Sequence, residues 1–519
     1  MAVKKHTISF RESGQFSSLF MDYVENKDTL RSFYSYPPEL ASFGKAIADR
    51  RKLPVNRKLL VQVIREQYEA MPGIGTSDHP GVLENIDVLE NENVFTVCTA
   101  HQPLLFTGPL YFIYKIITTI RLAERLKKEY PSDHFVPVFW IGSEDHDLEE
   151  IGTANIFGRK LVWNTDQRGA VGRMNTASLE PLLKELQQML GTSDNAKQLS
   201  EIFERAYTEN KTIAAATRSL VNELFGSYRL VVIDADDAKL KQAFLPFIKD
   251  DLTNNSNYKL VSESITALKA AGYDAQVNPR EINVFHLTEA DRIRIEAADE
   301  TVLNLKPEEY STNVVLRPLY QQMILPNIAY VGGPGEIAYW LEYKAMFDHH
   351  GIFFPVLMPR NFALLTDAKA EQQMEKFGLS ATALFQDAEL LVKEFVAKHS
   401  EIDISLKGEE QTIRTMFSEL AVKAAAVDPT LKASVEGEMQ KALAMLKNIE
   451  TKMMRSEKQK QETSINQVRK LREKFLPEET LQERHDNFAP YYLKAGKSFI
   501  PELKEMFDPF EFKLLIIEL

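Results

Sequence analysis

Polar residues gather just past four apolar, β-prone runs: Thr99, His101 and Gln102 after 94–98; Glu144, Asp145, His146 and Asp147 after 135–141; Gly332, Gly333, Gly335 and Glu336 after 328–331; Arg360 and Asn361 after 353–358. Each cluster alone reads equally well as a turn or a helix cap. Their repetition at the same point beyond a strand is the stronger signal, because strands of one sheet bring their carboxyl ends to a common rim.

The residue types narrow the chemistry. The carboxylates and histidine at 144–147 could bind a divalent metal or accept a proton from an attacking amine, or form only an acidic helix start. No HxxxH or CxxC spacing is present, so a protein-only metal cage is not expected, although magnesium carried on a nucleotide needs just one or two carboxylates. The guanidinium fork of Arg360 suits phosphate or carboxylate, and equally a surface salt bridge. Thr107, Gly108 and Pro109 read as a helix start, with a hydroxyl or glycine at the cap and proline at the first helical position. A strand feeding such a start aims unpaired N–H groups and the positive end of the helix dipole at an anion. In the bland alternative this is an ordinary strand-to-helix connection and His101 a surface residue. The glycine turn at 332–336 lacks the GKS or GKT ending of a Walker loop and does not match GxGxxG. Asp234, ending the run at 230–233, could bond ribose hydroxyls or cap the following helix.

Such a rim requires a particular scaffold. Five apolar runs, at 94–98, 135–141, 230–233, 328–331 and 353–358, alternate with helical patterns and short turns, which predicts a mostly parallel, doubly wound, Rossmann-like α/β sheet. The expected domains are a core at 1–365 with insertions near 153–225 and 255–315, a helical coiled-coil domain at 366–476, and a C-terminal segment at 477–519 packing back on the core. A hairpin is expected at 153–163, helices over 179–225, and short strands at 284–287 and 293–295. No function is read for residues 1–90. Met439, Ala442, Leu446, Ile449 and Met453 follow the spacing of a coiled-coil seam, which resumes in a shifted register at Ile465, Val468, Leu471 and Phe475. The seam needs a partner: an earlier helix carrying Ile413, Met416, Phe417 and Leu420, or a second subunit.

Hydrophobic content of 44% and charged content of 26% are those of a soluble globular protein. The net charge of −12 argues against broad nucleic-acid binding, which needs a basic face. The opening MAVKKHTISF has no apolar core of signal-peptide length, and no run approaches the ~20 apolar residues of a membrane span, so a cytoplasmic location is expected. The single cysteine, Cys98, rules out an internal disulfide and reads as a buried small hydrophobe rather than a nucleophile.

Together, TAHQPLLFTGPLYFIYK, PVFWIGSEDHDLEEI, VVIDAD, RPLYQQMILPNIAYVGGPGEIAYW, FFPVLMPRN and the late LQERHDNFAPYY resemble the bacillithiol-biosynthesis cysteine-adding family, the cysteine ligases. The resemblance implies a fold akin to class I aminoacyl-tRNA synthetases and nucleotidyltransferases, with connecting-peptide insertions and a coiled coil that pairs two subunits. It implies addition of L-cysteine to glucosaminyl-malate, forming an amide in the last step of bacillithiol synthesis. ATP, with or without Mg2+, would activate the cysteine carboxylate as an acyl-adenylate or an acyl-phosphate. His101 and Gln102 would stabilise phosphate, and Glu144, Asp145 or His146 would take the amine proton. Thr99, Thr107, Gly108, Asp234, Gly332, Gly333, Gly335, Glu336, Arg360 and Asn361 would hold the nucleotide. The chain departs from the pattern at His101, which stands where many members have the first glutamine of T-G-Q-Q. It has one histidine where nucleotidyltransferases carry an HxGH pair, and no KMSKS-type loop. The rival readings are a nucleotidyltransferase acting on another small metabolite, and a non-catalytic dimeric scaffold with a degenerate nucleotide pocket.

Overall fold

The computed structural model describes residues 5–71 and 79–519; the first four residues of MAVKKHTISF lie outside them. The chain divides into two compact units, one of Met1–Leu365 with Gln482–Leu519 and one of Thr366–Leu481.

In the larger unit the five apolar runs form one parallel sheet: β1 (Val94–His101), β2 (His134–Ile141), β3 (Val231–Asp234), β4 (Asn327–Gly332) and β5 (Val356–Pro359). The order across the sheet is β5-β4-β1-β2-β3, so winding reverses between β1 and β4, where a doubly wound sheet opens its crevice. Nearly every residue of these strands is buried. Both faces are covered, which is why near-continuous rather than alternating apolar runs encode them. Pairing lines up the carboxyl ends: His101 lies opposite Ile141, Ile141 opposite Asp234, and Gly332 opposite Pro359.

β5 starts later than its apolar run predicts. Its pairing begins with Val356 opposite Ala329, while Phe354 packs edge-on against Phe347 and Phe353 stacks on Tyr36. Two strands not read from the sequence, Lys5–Ser9 and Phe362–Thr366, flank the C-terminal Lys513–Glu518 in a separate three-stranded sheet. Between the core strands lie the expected hairpin, Thr153–Ile156 with Arg159–Val162, and the helices Glu180–Leu190, Asp194–Glu209 and Ile213–Phe225. The later insertion pairs Val284–Leu287 with Arg292–Arg294 and with Tyr310–Thr312.

The helix after β1 corrects an expectation. α1 (Tyr111–Glu129) has Leu110, not Thr107 or Gly108, at its cap. Phe106, Thr107 and Gly108 all take positive φ (52°, 70° and 59°), away from the extended conformation usual at an N-cap, and Pro109 forms a β-bridge with Asn487. The Asn487 amide donates to the carbonyls of Phe106 (2.8 Å) and Gly108 (2.6 Å), and the Leu110 N–H donates to the Asp486 carbonyl (2.7 Å). The late motif containing DN therefore clamps the turn that delivers α1. Asn487→Ala leaves two buried carbonyls without their donor and is expected to cost about 1–3 kcal/mol. An unchanged urea midpoint would show that the turn holds without the clamp.

Three further helices of this unit bear on the sites below: α2 (Ala238–Asn254), α3 (Pro334–Leu341) and α4 (Lys344–His349). In the smaller unit α5 (Lys407–Val427) and α6 (Leu431–Lys460) form a helical hairpin. Phe417 and Ala421 lie beside Met439, so an earlier helix does cover part of the seam. Met416, Leu420 and the seam residue Ile449 stay exposed, contrary to their reading as packed positions, because two helices cover only one stripe of each other. Ile465, Val468, Leu471 and Phe475, on the next helix, are buried.

Candidate functional site

A cavity of about 540 Å³ opens over the carboxyl ends of β1, β2 and β4, where the winding reverses. Of the residues singled out from sequence, His101, Gln102, Glu144, Asp145, Gly333, Gly335, Glu336 and Arg360 line it. The others stand off it. Thr99 is buried and its hydroxyl ties β1 to the Val331 carbonyl of β4. Thr107 and Gly108 belong to the clamped turn. Gly332 accepts the Arg360 N–H at its carbonyl (2.9 Å), and Asn361 bonds Thr118 and the Asp508 carbonyl. His146 faces Arg292, with its Nδ1 3.2 Å from the guanidinium. Asp234 accepts from the Ser143 hydroxyl and the Asp236 N–H. It does not cap α2; Asp237 does, accepting from the N–H groups of Lys239 and Leu240.

At the β1 end, the partly accessible His101 has Nδ1 3.3 Å from the Gln102 carbonyl and Nε2 3.2 Å from the Tyr111 hydroxyl. Burial, with the Lys115 ammonium nearby, pushes its imidazolium pKa down to about 3, so near neutrality it acts as a neutral ring rather than a cation beside phosphate. Lys115, fully inside on α1, donates to the Ala100 carbonyl and pairs with Glu336 at 2.8 Å. Glu336 also receives the Gly333 N–H (2.9 Å) and the Tyr330 hydroxyl, making it the internal cap of α3. The start of α3 is thus partly neutralised from within. The amides of Gly335 and Glu336 remain as first-turn donors that no intrahelical carbonyl takes up.

Burial alone would raise the Glu336 pKa, but Lys115, the Gly333 amide and Tyr330 outweigh it and hold it at about 2, against 4.5 when unfolded. A depressed folded value stabilises the fold above pH 4.5, and that contribution is lost as the pH falls through about 2. Glu336→Gln should therefore flatten the slope of unfolding free energy against pH between 4.5 and 2, measured by urea titration at stepped pH. Identical slopes would contradict the assignment.

The β2 end separates two neighbouring carboxylates. Glu144 is buried and pairs with Lys241 (2.5 Å), which also pairs with Asp236 (2.6 Å). Burial pushes the Glu144 carboxyl up against the pull of Lys241. Asp145 is more open: its side chain is 35% exposed, it accepts from the Gln102 amide (2.8 Å), and Arg292 stands 4.0 Å away. Of the two, Asp145 is the carboxylate that a ligand in the cavity can reach.

Three further cations line the cavity, none of them singled out from sequence: Arg292, Arg317 and Arg484. Arg292 is anchored on Ser311 and the Thr312 carbonyl. Half-buried Arg317 donates to Gln321 (3.0 Å) and Tyr339 (3.4 Å) and lies over the Tyr330 ring, with no carboxylate within 4.0 Å among the described residues. Arg360 differs, because its charge is met by Glu483 at 2.6 Å in a pair almost wholly inside the protein (3% and 0% exposed side chains). The cavity can therefore receive an anion on Arg317 and the α3 amides while Asp145 handles a proton.

The family model for the bacillithiol biosynthesis BshC N-terminal Rossmann-like domain matches residues 3–361, and the model for its C-terminal coiled-coil domain matches residues 363–519. The chain belongs to this family. Proteins carrying the name "Putative cysteine ligase BshC" are similar over their whole length. The one from Flavobacterium johnsoniae is 40% identical over 529 residues, covering 98% of this chain and 99% of its own. The Flavobacterium psychrophilum protein is 39% identical over 531 residues with the same coverage, and the Salinibacter ruber protein 31% identical over 521 residues, covering 95% of this chain and 94% of its own. This BshC-family cavity draws on residues whose sequence signals were faint. Lys115 is a lone charge on the apolar helix run at 110–120, Arg317 is a single arginine among apolar neighbours, and Arg292 is one of several charges in the polar stretch 289–296.

Proposed function

We propose that this cavity joins L-cysteine to glucosaminyl-malate in an ATP-dependent amide formation. The observation carrying the reading is Arg317, a half-buried cation without a carboxylate within 4.0 Å among the described residues, in a cavity at the sheet's switch point. The names of the full-length relatives support the cysteine half of it. A free carboxylate is a poor electrophile in water and must first be activated. A cysteine carboxylate oxygen attacks phosphorus of ATP, releasing either pyrophosphate and leaving an acyl-adenylate, or ADP and leaving an acyl-phosphate. The glucosamine nitrogen then attacks the carbonyl carbon, the C–N bond forms, and AMP or phosphate departs with the bridging oxygen.

In this reading Arg317 and the Gly335 and Glu336 amides hold phosphate or carboxylate oxygens, supplying position and charge stabilisation. Asp145 takes the amine proton, since only the uncharged amine is nucleophilic, and Gln102 orients it. Incubating the full-length protein with ATP, L-cysteine and glucosaminyl-malate should give a thiol product of the amide's mass. Release of pyrophosphate or ADP tells the activation routes apart, and no product from verified substrate would refute the ligase reading.

We also propose a homodimer through the coiled-coil hairpin, supported by Met416, Leu420, Met445 and Ile449, which stay exposed on α5 and α6. Light scattering at the monomer mass across micromolar concentrations would refute it. Among the described residues no helix is long and apolar enough to cross a membrane. A cytoplasmic setting, where ATP is available, fits the proposed reaction.

A further inference from the structure

A second cluster of ligand-bearing side chains lies apart from the cavity residues. His349, the last residue of α4, and His350, which follows it, meet Asp250 from the final turn of α2, and one donor atom from each of the three lies within 4.8 Å of the others. We propose that these three residues bind a divalent metal ion of borderline softness, Zn2+ or one of its first-row relatives, clipping the end of α4 to the end of α2.

The preparation of His350 supports the choice. Its Nε2 is 2.8 Å from the Asn257 side-chain oxygen, which fixes the ring with its proton on Nε2 and leaves the Nδ1 lone pair for a metal. Asn257 is in turn held by fully buried Asp251 (2.9 Å), which also receives the Asn283 N–H (2.6 Å). A metal-binding histidine usually has an outer hydrogen bond of this kind, and here it is backed by a second one. Asp250 is oriented by Asn254 (2.6 Å) and Ser256 (2.9 Å). Two imidazoles and one carboxylate suit zinc, cobalt or nickel better than magnesium or calcium, which prefer all-oxygen sets. Donors around a tetrahedral ion with ~2.0 Å bonds sit roughly 3.3 Å apart. The exposed His349 ring has the freedom to close that gap, and water completes the coordination.

The test uses the full-length protein, freed of metal with a chelator and titrated with Co2+. The expected result is one equivalent bound at micromolar concentration, with a visible ligand-field band and a raised Tm. His349→Ala, at an exposed position, should fold normally and weaken binding by about 100-fold, as should Asp250→Asn. His146→Ala, beside Arg292 and outside the cluster, should bind cobalt as the parent does. The proposal is overturned if the parent shows no band below millimolar cobalt, or if His349→Ala and Asp250→Asn bind as tightly as the parent.

Discussion

Arg317→Ala is expected to lower kcat/KM for amide formation by about 10- to 200-fold, the loss of one or two charge-assisted hydrogen bonds worth about 1.5–3 kcal/mol. The guanidinium rests on neutral partners, Gln321 and Tyr339, so its removal strands no buried countercharge and the Tm should move little. Arg317→Lys keeps the charge but not the planar fork, and should fall between the two. Steady-state kinetics with each substrate varied in turn would show which one meets Arg317, because the loss should concentrate in that substrate. A variant as active as the parent would remove Arg317 from the site.

The largest stability effect is expected at the Arg360–Glu483 pair. Glu483→Ala leaves Arg360 as an uncompensated charge inside the protein and removes an acceptor from the Ala363 N–H (3.1 Å), a loss of about 3–5 kcal/mol. Replacing both charges with apolar residues of similar volume should recover much of that loss, since the pair's net contribution is far smaller than the penalty of breaking it. Chemical denaturation of the single and double variants measures both. Equal loss in the two would mean that the hydrogen bonds, not the stranded charge, carry the effect.

That pair also marks how far the sequence could be read. The five core strands were legible because a parallel sheet buried on both faces demands uninterrupted apolar runs, and nothing else in residues 94–358 repeats that pattern so regularly. The rim clusters were legible for the same reason: turns follow strands. The sequence says nothing of which partner a charged rim residue meets across hundreds of positions. Arg360 reads equally as an anion clamp or a surface salt bridge until Glu483 is seen beside it inside the protein, and Glu336 reads as part of an open helix start until its carboxylate is seen folded back on the Gly333 amide. The motif LQERHDNFAPYY has no periodicity to announce a role. It stitches, with Gln482 on Leu365, Glu483 on Arg360 and Asn487 on the Phe106–Gly108 turn, so its logic lies wholly in long-range contacts. Lys115 and Arg317 carry no functional signal in the sequence, because a single cation in an apolar run is ambiguous until the direction of its side chain is known.

The most direct test of the proposed chemistry follows the oxygen of the activated carboxylate. With L-cysteine labelled with ¹⁸O at both carboxylate oxygens, and ATP and glucosaminyl-malate supplied, one labelled oxygen should leave in AMP or in phosphate while the other stays in the amide product. Amide formed without label in either leaving group would contradict carboxylate activation by ATP, and with it the role assigned to the cavity between β1 and β4.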